Sequence, residues 1–254
     1  IIFTKIWTKM TNFLIYPAVD IKDGKCVRLT HGKENHMTIY EEDPIKQVDF
    51  FSKNGFKWVH IVDLNAAFGK RDNKKIILQI LKSFKKNIKV QLGGGIRSIE
   101  DIKFWIDAGV SRIVLGTFAF KNPDSINNLS DFFSKKLALG LDIKNKKVAV
   151  NGWTKLLEID PINYVNQIDK KYFDKVVYTD ISKDGTLKGV NIEQTKIFAK
   201  STEIPIIASG GISNMNNLKA LYDNKNIGIS GVIIGQAIDE KKFDIKNLVK
   251  LSGT

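Results

Sequence analysis

Two parts of this chain repeat one another about 120 residues apart, and that repeat restricts the possible fold more than any other feature. AVDIKDGKCV at 18–27 resembles GLDIKNKKV at 140–148, pairing Asp20 with Asp142, and HIVDL resembles YTDI, pairing Asp63 with Asp180. GGIRSIEDIKFWIDAGVSRIVLGTFAF resembles GGISNMNNLKALYDNKNIGISGVIIGQAI, pairing Gly94 and Gly95 with Gly210 and Gly211, and Gly116 with Gly235. Four landmarks in the same order, at offsets of 122, 117, 116 and 119 residues, describe two similar halves.

Each half holds four apolar, β-branched runs: LIYPAVDI, WVHIVDL, IKVQLGG and RIVLGT, then LALGLDI, KVVYTDI, IPIIASGG and SGVIIG. Helical patterns such as Pro44–Lys53, Ile99–Ala108 and Ile192–Lys200 lie between them, so the chain reads as βα units around a parallel sheet. Eight such strands close a barrel. The predicted fold is α/β, a (βα)8 TIM barrel built from two fused (βα)4 half-barrels, forming one domain over 1–254. Residues 1–9 precede Met10 and are read as an extension of the start rather than a cleaved leader, because their apolar stretch is broken. Residues 1–12 are placed outside the core.

The composition narrows the function. An apolar content of 43% supports a large core, and no apolar run approaches the ~18 residues of a membrane helix. The formal charge of +13 is lysine scattered through segments such as KSFKKNIK, and Arg28, Arg71, Arg97 and Arg112 are the only arginines. No aromatic-interleaved basic stripe accompanies that charge, so no nucleic-acid or membrane partner is expected. A single cysteine, Cys26, excludes an internal disulfide, and with three histidines and no HExxH, GxSxG or GxxxxGKT pattern it argues against a metal site. The expectation is a soluble, cytoplasmic monomer that uses no cofactor and no metal.

In a barrel of this kind, residues at the C-terminal ends of strands converge on one face. Asp20, Asp63, Asp142 and Asp180 are read as ending strands there, Asp63 with the strongest claim to be only a cap or turn residue. QLGGGIRS and ASGGIS carry strands into helices through glycines, which lets backbone N–H groups approach an anion at a helix N-terminus. The turns at Gly116–Thr117 and Gly235–Gln236 follow one strand later and complete two cradles. Two cradles across one mouth predict a small-molecule substrate with a phosphate at each end, and the carboxylates between them predict proton transfer. His31, His36 and His60 are assigned to loop or core, with His31 near enough to Arg28 to touch a ligand.

These segments, together with IYPAVDIKDGKCVRL, VHIVDLNAAF, VAVNGW and TDISKDGTLKG, resemble the phosphoribosylformimino-aminoimidazole carboxamide ribotide isomerases of histidine biosynthesis over residues 14–250. The resemblance implies a barrel that converts an aminoaldose into an aminoketose by Asp acid–base chemistry on a bis-phosphorylated substrate, without metal or cofactor. It implies that Asp20 is the base and that Asp142 holds the usual acid position, with Asp184 of the DGT turn competing for that role. Gly94, Gly95, Arg97, Gly116 and Thr117 would form one phosphate site. Gly185, Thr186, Gly210, Gly211, Gly235 and Gln236 would form the other, with Arg28 nearby and Trp153 stacking on the imidazole carboxamide. The chain departs from the family in having Gln236 where arginine is common, His31 where glutamine is, and Asn151 where a small serine is. The sister cyclase of imidazole glycerol phosphate synthesis shares the half-repeat but typically has lysine at the Arg28 position and TSID for TDIS. A dual isomerase that also serves tryptophan biosynthesis shares the same motifs. A silent sugar-phosphate-binding or nucleic-acid-binding protein would need no paired aspartates.

Overall fold

In the computed structural model, which describes residues 12–29 and 37–253, the apolar runs form strands and the segments between them form helices. The strands are β1 (Leu14–Lys22), β2 (Lys25–Leu29), β3 (Met37–Glu41), β4 (Trp58–Asp63), β5 (Lys89–Gly93) and β6 (Arg112–Leu115) in the first half. The second half holds β7 (Leu137–Lys144), β8 (Lys147–Val150), β9 (Lys155–Leu157), β10 (Phe173–Asp180), β11 (Ile206–Ser209) and β12 (Ile229–Ile234). Parallel pairing runs β1–β4–β5–β6–β7–β10–β11–β12 and returns from β12 to β1, closing an eight-stranded (βα)8 barrel. The three expected helices span Pro44–Lys53, Ile99–Asp107 and Ile192–Ser201. Asp43 caps the first, and a reciprocal Ser98–Asp101 capping box starts the second. Of the expected extension at 1–12, only the exposed Asn12 is among the described residues.

Successive side chains of a strand face opposite sides, so each barrel strand sends every second residue inward. On β1 these are Tyr16, Ala18 and Asp20, and on β7 they are Ala138, Gly140 and Asp142. Large apolar residues on the other parity, such as Ile15, Val19, Leu139 and Leu141, pack into one continuous core under the helices. Near the N-terminal ends of the strands, Tyr16, Trp58 and Arg112 fill the interior: the Arg112 guanidinium lies 4.4 Å from the Trp58 ring centre and pairs with Asp174. Toward the C-terminal ends the inward positions shrink to Ala18, Gly93, Gly116 and Gly140, and the barrel opens.

Four strands were not expected. After Asp20 and Asp142 the chain does not leave the sheet; β1 and β7 run on to Lys22 and Lys144 and fold back as β2 and β8. Both turns use left-handed backbone, Asp23 and Gly24 at φ 51° and 77°, Asn145 and Lys146 at φ 51° and 65°. A pair of positive-φ residues matches the right-handed twist of the flanking strands, which is why the DG of KDGK marks a hairpin. β3 and β9 extend these ribbons, so both catalytic candidates sit at the base of antiparallel flaps rather than at strand ends.

Candidate active site

The open end of the barrel holds a cavity of about 770 Å³. Its wall includes Asp20, Asp142 and Asp184, both glycine segments, Arg28, Arg97, Thr117, Trp153, Gly185, Gly235 and Gln236. Strand parity divides the four aspartates of the repeat. Asp20 and Asp142 share the inward parity of their strands, whereas Asp63 and Asp180 fall on the outward parity of β4 and β10. The sequence expectation that all four serve one mouth is therefore corrected: Asp63 and Asp180 tie loops together. Asp63 accepts the N–H of Ala66 and both the N–H and side-chain amide of Asn73; Asp180 accepts from Ser182 and from the Asn191 amide.

Those loops explain part of the glycine pattern. A Cβ on Gly94 would lie 2.3 Å from the Asp63 carbonyl oxygen, and one on Gly210 would lie 2.9 Å from that of Asp180. Gly95 and Gly211 are equally crowded, by Ala66 and by the Gly189 carbonyl oxygen. The paired glycines let two neighbouring βα loops touch, in both halves alike, and this contact shapes the cavity wall. The short helices that begin at Thr117 and Gln236 have no side-chain cap; the Ala119 and Ile238 N–H groups bond the Gly116 and Gly235 carbonyls, which leaves those of the two preceding residues for an anion. The two sides differ in charge. Arg97 supplies a guanidinium beside Gly95, anchored on the Ala66 carbonyl, whereas Gln236 bonds Glu240. Thr186 departs from expectation, since its N–H and its hydroxyl both donate to the Lys183 carbonyl and it does not line the cavity. The Thr117 hydroxyl accepts the Asn151 N–H at 2.8 Å and so links its cradle to the Trp153 loop.

The carboxylates differ in environment. Desolvation raises Asp20, while Arg28, whose Nη1 lies 3.0 Å from its Oδ2, opposes the rise. Desolvation raises Asp142, and hydrogen bonds from the Trp153 indole N–H at 2.7 Å and from Thr179 oppose it. On Asp184 the Arg28 charge and a hydrogen bond from the Gly185 backbone are the weaker influences. Desolvation, then the charges of Asp20 and Asp142, push it up to about 7. Three carboxylates share one space, and the one in the DGT turn holds its proton to near neutrality. Trp153 is thus engaged with Asp142 rather than free, and its own backbone is left-handed at φ 70°.

His60, which the sequence assigns to loop or core, lines the cavity. Arg112 has only donors, so Gln91 presents its oxygen to Arg112 and its amide nitrogen to His60 Nδ1, 2.9 Å away. The ring is therefore the Nε2–H tautomer, and burial holds its pKa near 4, so it is neutral at physiological pH. The inward parity of WVHIVD was the signal for it. Thr179 was also missed; pairing beside Asp142 on the neighbouring strand places it there. His31 and His36 lie outside the described residues. Among the described residues no three His, Cys, Asp or Glu side chains are grouped to hold a metal ion, and no helix is long and apolar enough to cross a membrane.

Comparison with known proteins converges on one group. The family model described as histidine biosynthesis protein matches residues 14–244. A protein of Clostridium botulinum is 41% identical over 94% of this chain and 97% of its own length. One of Pseudomonas putida is 41% identical over 91% and 95%, and one of Caulobacter vibrioides 40% identical over 89% and 93%. All three carry the name 1-(5-phosphoribosyl)-5-((5-phosphoribosylamino)methylideneamino)imidazole-4-carboxamide isomerase.

Proposed function

The chain belongs to the histidine biosynthesis protein family, and on that premise we propose that it catalyses the aminoaldose-to-aminoketose isomerisation for which these relatives are named. The observation that carries this is the placement of Asp20, Asp142 and Asp184 around one cavity between two pseudo-equivalent glycine cradles.

The substrate's two phosphates would occupy the cradles, with Arg97 at one end and the uncapped helix at Gln236 at the other. Asp184, protonated near neutrality, donates a proton to the ribose ring oxygen; the C1′–O bond breaks and the glycosylic nitrogen lone pair forms a Schiff base. Asp20, whose ionised form the Arg28 cation favours, removes the C2′ proton, and the electron pair moves toward nitrogen to give an enolamine. Loss of the C2′ hydroxyl proton and protonation at C1′ yield the ketose, so atoms and electrons balance without an oxidant. Two carboxylates with separated pKa values are what such paired acid and base steps need. Asp142 keeps a second claim to the acid role, because it lines the same cavity and desolvation raises its pKa, although the Trp153 and Thr179 hydrogen bonds oppose that rise.

The test is to incubate the purified protein with the histidine-pathway aminoaldose and, separately, with phosphoribosyl anthranilate or with the cyclase substrate and ammonia. Ketose from the first alone is expected. Turnover of phosphoribosyl anthranilate would make the enzyme a dual isomerase, and imidazole product would make it the cyclase.

A further inference from the structure

Arg28 on β2 is held from two sides. Its Nη1 donates to Asp20 Oδ2 at 3.0 Å and to the Val27 carbonyl, and its Nη2 donates to the Ala18 carbonyl at 2.7 Å. Its Nε faces Asp239 Oδ2 at 2.8 Å from the opposite side, and the Tyr40 ring covers it 4.7 Å from the ring centre. Gly235 makes room for it, since a Cβ there would lie 3.0 Å from Nε. All three guanidinium nitrogens therefore face protein oxygens, which hold the group in place beside Asp20.

Asp239 is the unexplained member. It ends the short helix Gln236–Asp239, its side chain is 7% exposed, and it does not line the cavity. The Nε contact is an ion pair, and among the described residues neither buried Asp239 oxygen has a well-aligned hydrogen bond. A carboxylate in that condition is costly, and its single compensation is the Arg28 charge.

Resting on the isomerase function proposed above, we infer that Asp239 is a positioning residue: by gripping Arg28 from outside the cavity, it fixes where the guanidinium stands relative to Asp20. Among the described residues the charged or titratable groups facing it are Arg28 and Cys26 from β2, Asp20 from β1, Tyr40 from β3 and Glu240 next in sequence. Asp239 competes with Asp20 for one cation. Burial and the Asp20 charge hold its own pKa near 6, which agrees with two carboxylates sharing one arginine. Removing the Asp239 charge leaves Arg28 wholly to Asp20, which makes Asp20 a stronger acid and hence a weaker base.

The experiment uses Asp239→Asn and Asp239→Leu, two changes of similar volume that both remove the charge, so that if one fails to fold the other decides. Side-chain carboxyl NMR titration, with Asp20 assigned by loss of its signal in Asp20→Asn, should show Asp20 titrating about one pH unit lower than in the parent protein. The acid limb of kcat should move the same way, with kcat about tenfold lower and KM within about twofold. An Asp20 titration and acid limb unchanged in a folded variant overturn the inference, as does a KM that rises while kcat holds. Should the parent protein isomerise neither substrate, the functional proposal fails, and the NMR titration still decides the role of Asp239 by itself.

Discussion

A single proton on Asp184 links the chemistry to the stability of the fold. Its pKa near 7 in the folded chain stands above the ordinary 3.8, so folding takes up a proton between those values. The stabilisation this gives is full below about pH 4 and is lost as pH rises through about 7. Replacing Asp184 with Asn should therefore raise the melting temperature at about pH 8 and change it little at about pH 4. The same substitution should lower kcat by ~10²–10⁴ and abolish the fall of kcat expected of the parent enzyme above neutrality. Thermal melts at the two pH values and a kcat profile test both halves; a kcat close to the parent's returns the acid role to Asp142. Arg97 works differently, as a charge exposed at the cavity wall with its Nη2 anchored on the Ala66 carbonyl. Arg97→Ala should raise KM about 10- to 100-fold with a smaller change in kcat, because it removes binding shared by ground and transition states. Steady-state kinetics showing the loss in kcat alone would remove it from the phosphate site.

At the scale of elements, each glycine turn is a place where two βα loops meet. Gly94 has φ 93° and Gly210 φ 90°, and both abut the backbone carbonyl of an outward-facing aspartate. The approach is closer at Gly94, 2.3 Å against 2.9 Å for the added Cβ. Gly94→Ala should cost about 2–4 kcal/mol of stability, and Gly210→Ala less. Urea denaturation measures both, and equal costs would show that backbone strain rather than the loop contact sets the penalty. These aspartates, Asp63 and Asp180, look functional in the repeat because repetition preserves architecture and chemistry alike. Period-two counting along HIVD and VYTD separates the two roles, since Thr179 faces the cavity where Asp180 does not. The hairpins after Asp20 and Asp142 were legible in the DG turn, but the expectation that every strand leads directly to a helix concealed them.

Across the whole molecule, small inward residues open one end of the barrel and Arg112 closes the other. Arg112 is 4% exposed, stacks on Trp58, pairs with Asp174 and holds Gln91, which in turn fixes the His60 tautomer. Arg112→Met should cost about 3 kcal/mol, because it leaves the buried Gln91 oxygen without its donor and Asp174 with Lys175 as its remaining cation. A denaturation midpoint unchanged from the parent's would show that the plug is dispensable. The basic surface belongs to the same scale: lysines such as Lys53, Lys103 and Lys219 pair with acids one helical turn away. Such exposed pairs contribute little, and they account for lysines on helix faces without invoking a polyanionic partner.

By itself the sequence determined the eight barrel strands, their parallel order, the two-fold repeat and the end of the barrel at which glycines and carboxylates gather. Each of these follows from local periodicity and from landmarks that recur at one spacing. Only the tertiary structure decided that Asp184 holds its proton to near neutrality, because that depends on desolvation and on the charges of Asp20 and Asp142 reaching it across the cavity. It alone joined Arg28 to Asp239 from the far end of the chain, and it alone turned Thr186 away from the wall that Asp184 faces. Local pattern places a residue on a strand, a turn and a face. Its charge state is set by neighbours that sequence separates and barrel closure brings together.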